Sequence, residues 1–428
     1  MQKKSTKYLI AGAGLSGLTF ADFLDSDDWL IIEKERLPGG YSATDCQEGF
    51  CFDWTGHWLH LKKGINDWIR DYTKLHLQKV ERKAKIWFRG NYMPYPFQTN
   101  LASLDRSLRL ECLREFLQRP RLEGNSFADV LLSNFGRGIY KHFLLPYNSK
   151  LWGVSPEKMD GEYAMKYVPR PDESAVIEGA SKGLGKALGY NNCFYYPRRG
   201  TMGDFCHQVA SRLDESNLYL DWPLTKVDLD SKTAQSRGGQ QINYEKLVFT
   251  FSLADFMSLC HSLPPRIKQY SNQLTGRKIY FLDLGIKDNL YARHFHWCYI
   301  PEPQYKVYRL GQYSEVEPSL APAGCRSLYL ELSSPFSNTR EALEAVEPLL
   351  KEMNLINDSK DIVFSRLRSI SDGYAVPDNN YYQARKEIFS FLKKVDIIPL
   401  GRFACWRYSS MGEDMHRARE LAFSLNNS

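Results

Sequence analysis

The stretch Tyr8-Leu9-Ile10-Ala11-Gly12-Ala13-Gly14-Leu15-Ser16-Gly17 is an apolar strand running directly into a G-x-G-x-x-G turn. A helical pattern follows from Leu15 to Leu24, and a second apolar run, Trp29-Leu30-Ile31-Ile32, ends on Glu33. Strand, glycine turn, helix and acid-tipped strand in this order predict the βαβ opening of a dinucleotide-binding domain. Gly12 permits the tight turn, Gly14 lets the backbone approach a pyrophosphate, and Gly17 lets the helix pack closely on the sheet. Leu15 and Ser16 begin the helix whose N-terminus faces the phosphates, and Glu33 is placed to accept from ribose hydroxyls.

The next stretch separates one dinucleotide from another. Glu33-Lys34-Glu35-Arg36 is followed by Pro38-Gly39-Gly40-Tyr41, a second glycine turn. A further backbone approach to an extended cofactor explains that turn, and a simple NAD domain has no need of it. FAD is therefore expected, with Lys34, Gly40 and Tyr41 among its contacts. The strand-like Asp221-Trp222-Pro223-Leu224-Thr225-Lys226-Val227 resembles the adenine-side segment of large flavoenzymes and adds Val227 to that set.

Composition bounds the rest. A chain of 428 residues, 43% hydrophobic and 25% charged, is ordinary globular protein of two to three domains. A net charge of +6 without any Lys/Arg block gives no case for nucleic acid. Nine cysteines without a CxxC pair or a His/Cys metal spacing read as free, mostly buried thiols of a reducing compartment. The Tyr8–Leu18 stretch fits a glycine turn better than a signal segment, and no run of about 18 apolar residues spans a membrane. A soluble, cytoplasmic protein without a metal is expected. Ser-His-Asp order, HExxH and paired-carboxylate motifs are missing, so hydrolysis has no obvious machinery.

Along the chain, residues 85–97 predict a hairpin turning at Gly90-Asn91. Leu101, Leu104, Leu108, Cys112, Phe116 and Leu117 predict one apolar helical face, and Ser126 the N-cap of a helix bearing Phe127, Val130, Leu131 and Phe135. Residues 164–190 read as an irregular or mobile connection. A helix is expected at 202–213, and strands at 218–228, 245–251, 278–286, 294–300, 306–313 and 327–333. A helix at 339–352 and a strand-helix unit at 396–425 follow. The expected fold is α/β: a discontinuous Rossmann-type FAD-binding domain (1–84, 192–275 and 366–428), an inserted helical domain (100–191) and an antiparallel β-sheet substrate domain (85–99 with 276–365).

Short motifs in order along nearly the whole chain resemble those of the UDP-galactopyranose mutase family, within the amine oxidase and protoporphyrinogen oxidase-like flavoproteins. Gly56-His57-Trp58-Leu59-His60 resembles the mutases' G-x-H-I-F-H loop, and Tyr95-Pro96-Phe97-Gln98-Thr99-Asn100-Leu101 resembles their LPFN segment. Pro146-Tyr147-Asn148-Ser149-Lys150-Leu151-Trp152-Gly153 resembles G-Y-T-x-K-Q-W-G, and Val168-Pro169-Arg170 a P-V-R loop. The segment from Gly401 to Met411, with Arg402, Tyr408 and Ser410, resembles G-R-L-A-x-Y-x-Y-x-D-M.

The resemblance implies roles for these positions. Gly56, His57, Gly401, Arg402 and Met411 would meet the flavin. Tyr147 would stack on the base and Trp152 line the sugar site, while Lys166, Arg170, Arg309, Tyr374, Tyr408 and Arg402 would face the substrate. His57, Arg170 and Arg402 would serve catalysis. The implied reaction is pyranose–furanose isomerisation of a nucleotide-linked sugar, with reduced flavin N5 attacking the anomeric carbon, in cell-surface polysaccharide synthesis. The chain departs from the mutases at Ser410, where they carry Asp, and at Leu151, where they carry Gln. Tyr195–Gly203 and Ala321–Gly324 read more like the oxidases. The alternative is therefore oxidation of a small molecule by hydride transfer. The sugar, the physiological reductant and the oligomeric state are left open.

Overall fold

The computed structural model describes residues 4–166, 168–183, 192–288 and 294–427. Its first sheet runs in the order Cys260–His261, Leu224–Asp228, Thr233–Ser236, Gln241–Phe249, Lys4–Ala11, Trp29–Ile32 and Leu218–Tyr219. Ile397–Pro399 pairs alongside Gln241–Phe249. The central strand Lys4–Ala11 lies parallel to both neighbours, with Leu9 opposite Leu247 on one side and Leu30 on the other. Leu9, Ile10, Ile31, Leu247 and Val248 are fully buried. Continuous apolar runs of this kind fit a parallel sheet covered on both faces.

The second sheet has the order Ile362–Ala375, Gly276–Lys287, Cys325–Leu332, Val307–Gln312, Trp297–Tyr299, Ala84–Phe88 and Asn91–Pro94. Its strands alternate between two faces. Leu328, Leu330 and Leu332 pack with Val346, Leu349 and Leu350 of the helix Thr339–Glu352. Tyr329 and Glu331, between them, therefore point to the opposite face. That opposite face is where the cavity described below lies.

The helical layer contains Arg106–Leu117, Phe127–Ile139, Leu145–Trp152 and Glu173–Ser181. Ser126 caps the second of these, and its side chain and that of Asp129 form a reciprocal capping box. Lys150 fastens the third to the second sheet by donating to the carbonyls of Ile300, Glu302 and Val307 at 2.8, 2.9 and 2.6 Å. Those bonds hold Tyr147 and Trp152, which share its helix, against the sheet.

Several expectations change. The helix expected from 101 starts only at Arg106, because the Asp105 carboxylate takes the Leu108 N–H at 2.9 Å; Leu117 is half exposed instead of lying on the apolar face. Residues 164–190 are not all irregular: Asp172 caps the helix Glu173–Ser181, and residues 167 and 184–191 lie outside the described residues. Pro223 interrupts the strand expected at 218–228, leaving Leu218–Tyr219 and Leu224–Asp228. The hairpin turns one residue early, at Arg89-Gly90.

The long strand Ile362–Ala375 and the helix Tyr381–Lys394 had no clear sequence signal. The strand's period is masked by Arg366 and Arg368, whose charges are spent internally on the buried Asp283. Cys46 and Cys51, read as free thiols, face each other across a short hairpin and form a disulfide.

Buried histidine gives this fold an acid limit. His296 is 3% exposed, and burial, reinforced by the nearby Lys83 charge, pushes its pKa down to about 4. Its Nδ1 accepts the Lys83 N–H at 3.1 Å, which a protonated ring could not do. The unfolded chain binds that proton near pH 6.5, so stability is full above that pH and falls as pH drops toward 4. The His296→Gln variant should show a shallower loss of urea midpoint between pH 6.5 and 4 than the parent. An unchanged slope would mean that His296 is not kept neutral by the fold.

Candidate functional site

Three glycine-rich turns converge at the carboxyl end of the strand Lys4–Ala11. Gly12 has φ +113°, and a Cβ there would stand 2.3 Å from Thr250 Oγ1. A Cβ on Gly17 would stand 2.2 Å from the Gly12 carbonyl oxygen, so the helix start can sit against the turn only as glycine. The second turn is bonded to the first: Gly39 N–H donates to the Ala13 carbonyl at 2.8 Å, and a Cβ on Gly40 would be 3.4 Å from Gly14 Cα. From the far end of the chain, Gly401 (φ +83°) closes over Ser16, where a Cβ would lie 2.5 Å from Ser16 Oγ. The three turns thus pack against one another too closely for side chains at these positions.

Glu33 is buried at the tip of its strand and accepts from Ala13 N–H at 2.8 Å and Glu35 N–H at 3.0 Å. Its carboxylate therefore ties the glycine turn to the second strand and retains acceptor capacity for hydroxyls. Leu15 is buried at the start of the helix. Tyr41 packs against Trp54 and Phe403. Met411 Sδ lies 3.3 Å from Ser42 Oγ, and Val227 is buried in its strand between Ala234 and Cys260. Lys34 is exposed and pairs with its neighbour Glu35 at 3.6 Å. A buried cradle without side chains, an acid at the second strand tip and a second glycine turn fit a dinucleotide of FAD's extent.

His57 lies beyond the second turn. Burial, then the Arg402 charge, lowers its pKa to about 4, with the backbone groups of Trp54 and Thr55 opposing the shift. A neutral imidazole beside a cradle of this kind is chemically suited to a polar ligand atom.

A cavity of about 320 Å³ opens next to it, walled by Gly56, His60, Tyr299, Arg309, Tyr408 and Ser410 among others. Arg309 donates to Glu331 Oε1 at 2.6 Å and to Tyr374 Oη at 3.2 Å. Glu331 has no solvent exposure and Arg309 sits opposite it in the strand register. Arg402 donates to the carbonyls of Gly373 and Ser409, with its guanidinium 4.3 Å from the Tyr408 ring centre and 5.1 Å from that of Tyr374. Those two rings are nearly parallel, 5.8 Å apart. Trp152 leans on Tyr374 at 5.5 Å, and Tyr147 meets Tyr299 edge-on at 5.3 Å. The fold thus brings Tyr147, Trp152, Arg309, Tyr374, Arg402 and Tyr408, residues dispersed over most of the sequence, close together: Arg309 and Tyr408 line the cavity, and Tyr147, Trp152, Tyr374 and Arg402 pack behind its wall. Lys166 lines it from an exposed position. Arg170, by contrast, is exposed on the loop after it and is not part of the cavity wall.

Six wall residues were not singled out in the sequence: Lys62, Trp297, Tyr299, Tyr329, Glu413 and Arg417. Glu413 and Arg417 are spaced i and i+4 on the helix Met411–Asn426, which would have placed them on one face. Tyr299 had no signal of its own. Ser410 is the N-cap of the same helix, and its hydroxyl accepts from Glu413 N–H in a capping box. Among the described residues no group of His, Cys, Asp and Glu could hold a metal, and no helix is long and apolar enough to cross a membrane.

Comparison with known proteins agrees with this architecture. Residues 10–74 match the model of the NAD(P)-binding Rossmann-like domain. Across 99% of the chain the structure superposes on 94% of a reduced UDP-galactopyranose mutase, with a TM-score of 0.91 and 24% identity. A candidate protoporphyrinogen oxidase from Exiguobacterium sp. 255-15 shows a TM-score of 0.73 at 14% identity, covering 100% of this chain and 99% of that one. Cyclohexylamine oxidase from Brevibacterium oxydans IH-35A shows 0.66 at 14%, covering 99% of each chain. In sequence, the corticosteroid-binding protein of Candida albicans is 27% identical over 305 residues, which are 62% of this chain and 55% of that protein. The chain therefore spans about half the length of that curated relative. The molecule has the α/β fold shared by UDP-galactopyranose mutase and the amine and porphyrinogen oxidases, with a Rossmann-like dinucleotide-binding domain.

Proposed function

We propose that this protein is an FAD-dependent enzyme that interconverts ring forms of a nucleotide-linked sugar. The carrying observation is the cleft beside the glycine cradle. Arg309 and Arg402 are held in place by carboxylate and carbonyl groups, Arg309 bonded to Tyr374 and Arg402 packed against Tyr374 and Tyr408. Planar cations meet a diphosphate, and aromatic faces meet a base and a sugar.

Gly12, Gly14, Gly17, Gly40 and Glu33 would hold the FAD, with Gly401 and Met411 closing over it. FAD, when bound, supplies redox and nucleophilic chemistry that no side chain here offers. The protein's own part is position and charge. His57, neutral by burial, offers a hydrogen-bonding nitrogen without a competing positive charge. The Ser410-capped helix N-terminus favours negative charge at its end of the cavity. Arg309 and Lys166 would offset the diphosphate, and Arg402, packed against Tyr374 and Tyr408, would fix those two rings.

The enzyme loaded with FAD, chemically reduced and given UDP-galactopyranose under anaerobic conditions, should yield a furanose product resolved by chromatography. The oxidised enzyme should give none. A second reading, net oxidation of a small molecule, is favoured by Ser410: the mutases' carboxylate is replaced by a hydroxyl already engaged in capping its helix. Bleaching of the bound flavin by an amine or a porphyrinogen, with no ring isomer from any nucleotide sugar, would replace the first reading by the second.

A further inference from the structure

The indole of Trp58 and the phenol of Tyr329 stand on the cavity wall, 6% and 1% exposed. Among the described residues neither Trp58 Nε1 nor Tyr329 Oη has a hydrogen bond. Sealed, unpartnered donors do occur in this fold, at Trp68 Nε1 and Trp406 Nε1, but the polar atoms of Trp58 and Tyr329 are not among them. Trp297, on the same wall, spends its Nε1 on Tyr299 Oη at 2.9 Å. Buried Trp and Tyr ordinarily find a partner for their polar atom.

The two donors meet at one spot beside the loop that carries His57. A Cβ on Gly56 would stand 2.5 Å from Tyr329 Oη and 3.0 Å from Trp58 Nε1. Gly56 does not have a positive φ, so its backbone does not call for glycine. What a side chain would remove there is the space that both donors face. Neither ring is free to swing away. Trp58 lies nearly parallel to Trp297 at 6.3 Å and packs on Phe194 at 5.0 Å. Tyr329 covers Gly311, where a Cβ would stand 2.1 Å from the ring, and packs on Tyr313 at 4.9 Å. Donors fixed in this way are in place before a ligand arrives.

We propose that Trp58 Nε1 and Tyr329 Oη form a two-donor site that holds one hydroxyl oxygen of the sugar beside the His57 loop. The inference rests on the nucleotide-sugar reading above and names the residues that choose the sugar. Two uncharged donors suit an uncharged acceptor, and a hydroxyl oxygen has lone pairs for both. The wall's cations play no part in it: Lys62 pairs with Glu413 at 3.0 Å and Arg309 with Glu331 at 2.6 Å. The G-x-H-I-F-H loop that this segment resembles has isoleucine at the Trp58 position, so the indole donor belongs to this chain.

The test uses the FAD-loaded enzyme and calorimetric affinities for UDP, UDP-galactose and its 2-, 3-, 4- and 6-deoxy analogues. The parent should bind one deoxy analogue about fivefold more weakly than UDP-galactose, the size of an uncharged hydrogen bond. Trp58→Phe and Tyr329→Phe should each reduce that penalty, for that analogue alone, and leave UDP affinity as in the parent. Gly56→Ala, which fills the space, should weaken UDP-galactose and spare UDP. Ratios are read within each protein, so a general loss of folded enzyme does not imitate the effect. A deoxy penalty that survives both substitutions overturns the site. So does a loss shared equally by UDP and every sugar, or an effect on FAD retention with the ratios unchanged. If UDP does not bind the parent, the nucleotide-sugar reading falls and takes this inference with it. Binding of UDP and UDP-galactose without any deoxy penalty removes the two-donor site alone.

Discussion

Replacing Arg309 with methionine should cost about 3–5 kcal/mol of stability, the range for removing one partner of a buried ion pair. Glu331 has no exposed surface, its Oε1 takes the Arg309 guanidinium at 2.6 Å, and its other neighbour is the buried Tyr308 hydroxyl. Without Arg309 the carboxylate must either remain charged in an apolar sheet or take up a proton. The second route raises its folded pKa above the unfolded value, so the variant should be relatively more stable at low pH and weaker as pH rises. Urea unfolding at pH 5 and pH 8 measures both features. Adding Glu331→Leu should recover most of the loss, because the pair would then be removed together. A single variant within about 1 kcal/mol of the parent at pH 8 would show that Glu331 is not a buried charge needing Arg309.

Replacing Gly12 with valine should abolish retention of the dinucleotide, weakening it on the order of 100-fold or more, roughly 3 kcal/mol. Two separate costs add. The backbone stands at φ +113°, a region closed to β-branched residues, and the new Cβ would overlap Thr250 Oγ1 at 2.3 Å. Gly239 provides the control, since it has φ +73° and nothing within 4 Å of a would-be Cβ. Gly239→Ala should cost only the conformational term, about 1 kcal/mol, and leave the purified protein yellow. A Gly12→Val protein that purifies with its full flavin spectrum would mean that the glycine turn does not hold the cofactor.

Much of the fold was legible in short patterns whose physics is local. The Gly12–Gly17 turn, the Trp29–Glu33 strand and the Ser126 cap are each specified by residues a few positions apart, and each appears where its pattern placed it. The strand Ile362–Ala375 was not legible, because Arg366 and Arg368 look like solvated charges until Asp283 is brought beneath them. Leu117 misled in the other sense: its spacing matched an apolar face, but the cap at Asp105 set the start of the helix and turned that position outward. Cys46 and Cys51 pair because a hairpin aligns them, which no cysteine count conveys.

The cleft divides in the same way. Tyr147, Trp152, Arg309, Tyr374, Arg402 and Tyr408 could be nominated one at a time, and the fold does bring them together. Arg170 was nominated with them and is not on the cavity wall. Lys62, Glu413 and Arg417 entered only because the loop after His57 and the C-terminal helix meet at one wall. Residues 8 to 41 therefore suffice for the dinucleotide cradle, since a glycine turn constrains its own backbone wherever it occurs. Which cations face the cavity, and which are neutralised beforehand, was decided by packing alone. A charge reads as free or paired only once the chain has placed its partner, and for Arg309 that partner, Glu331, comes from the neighbouring strand.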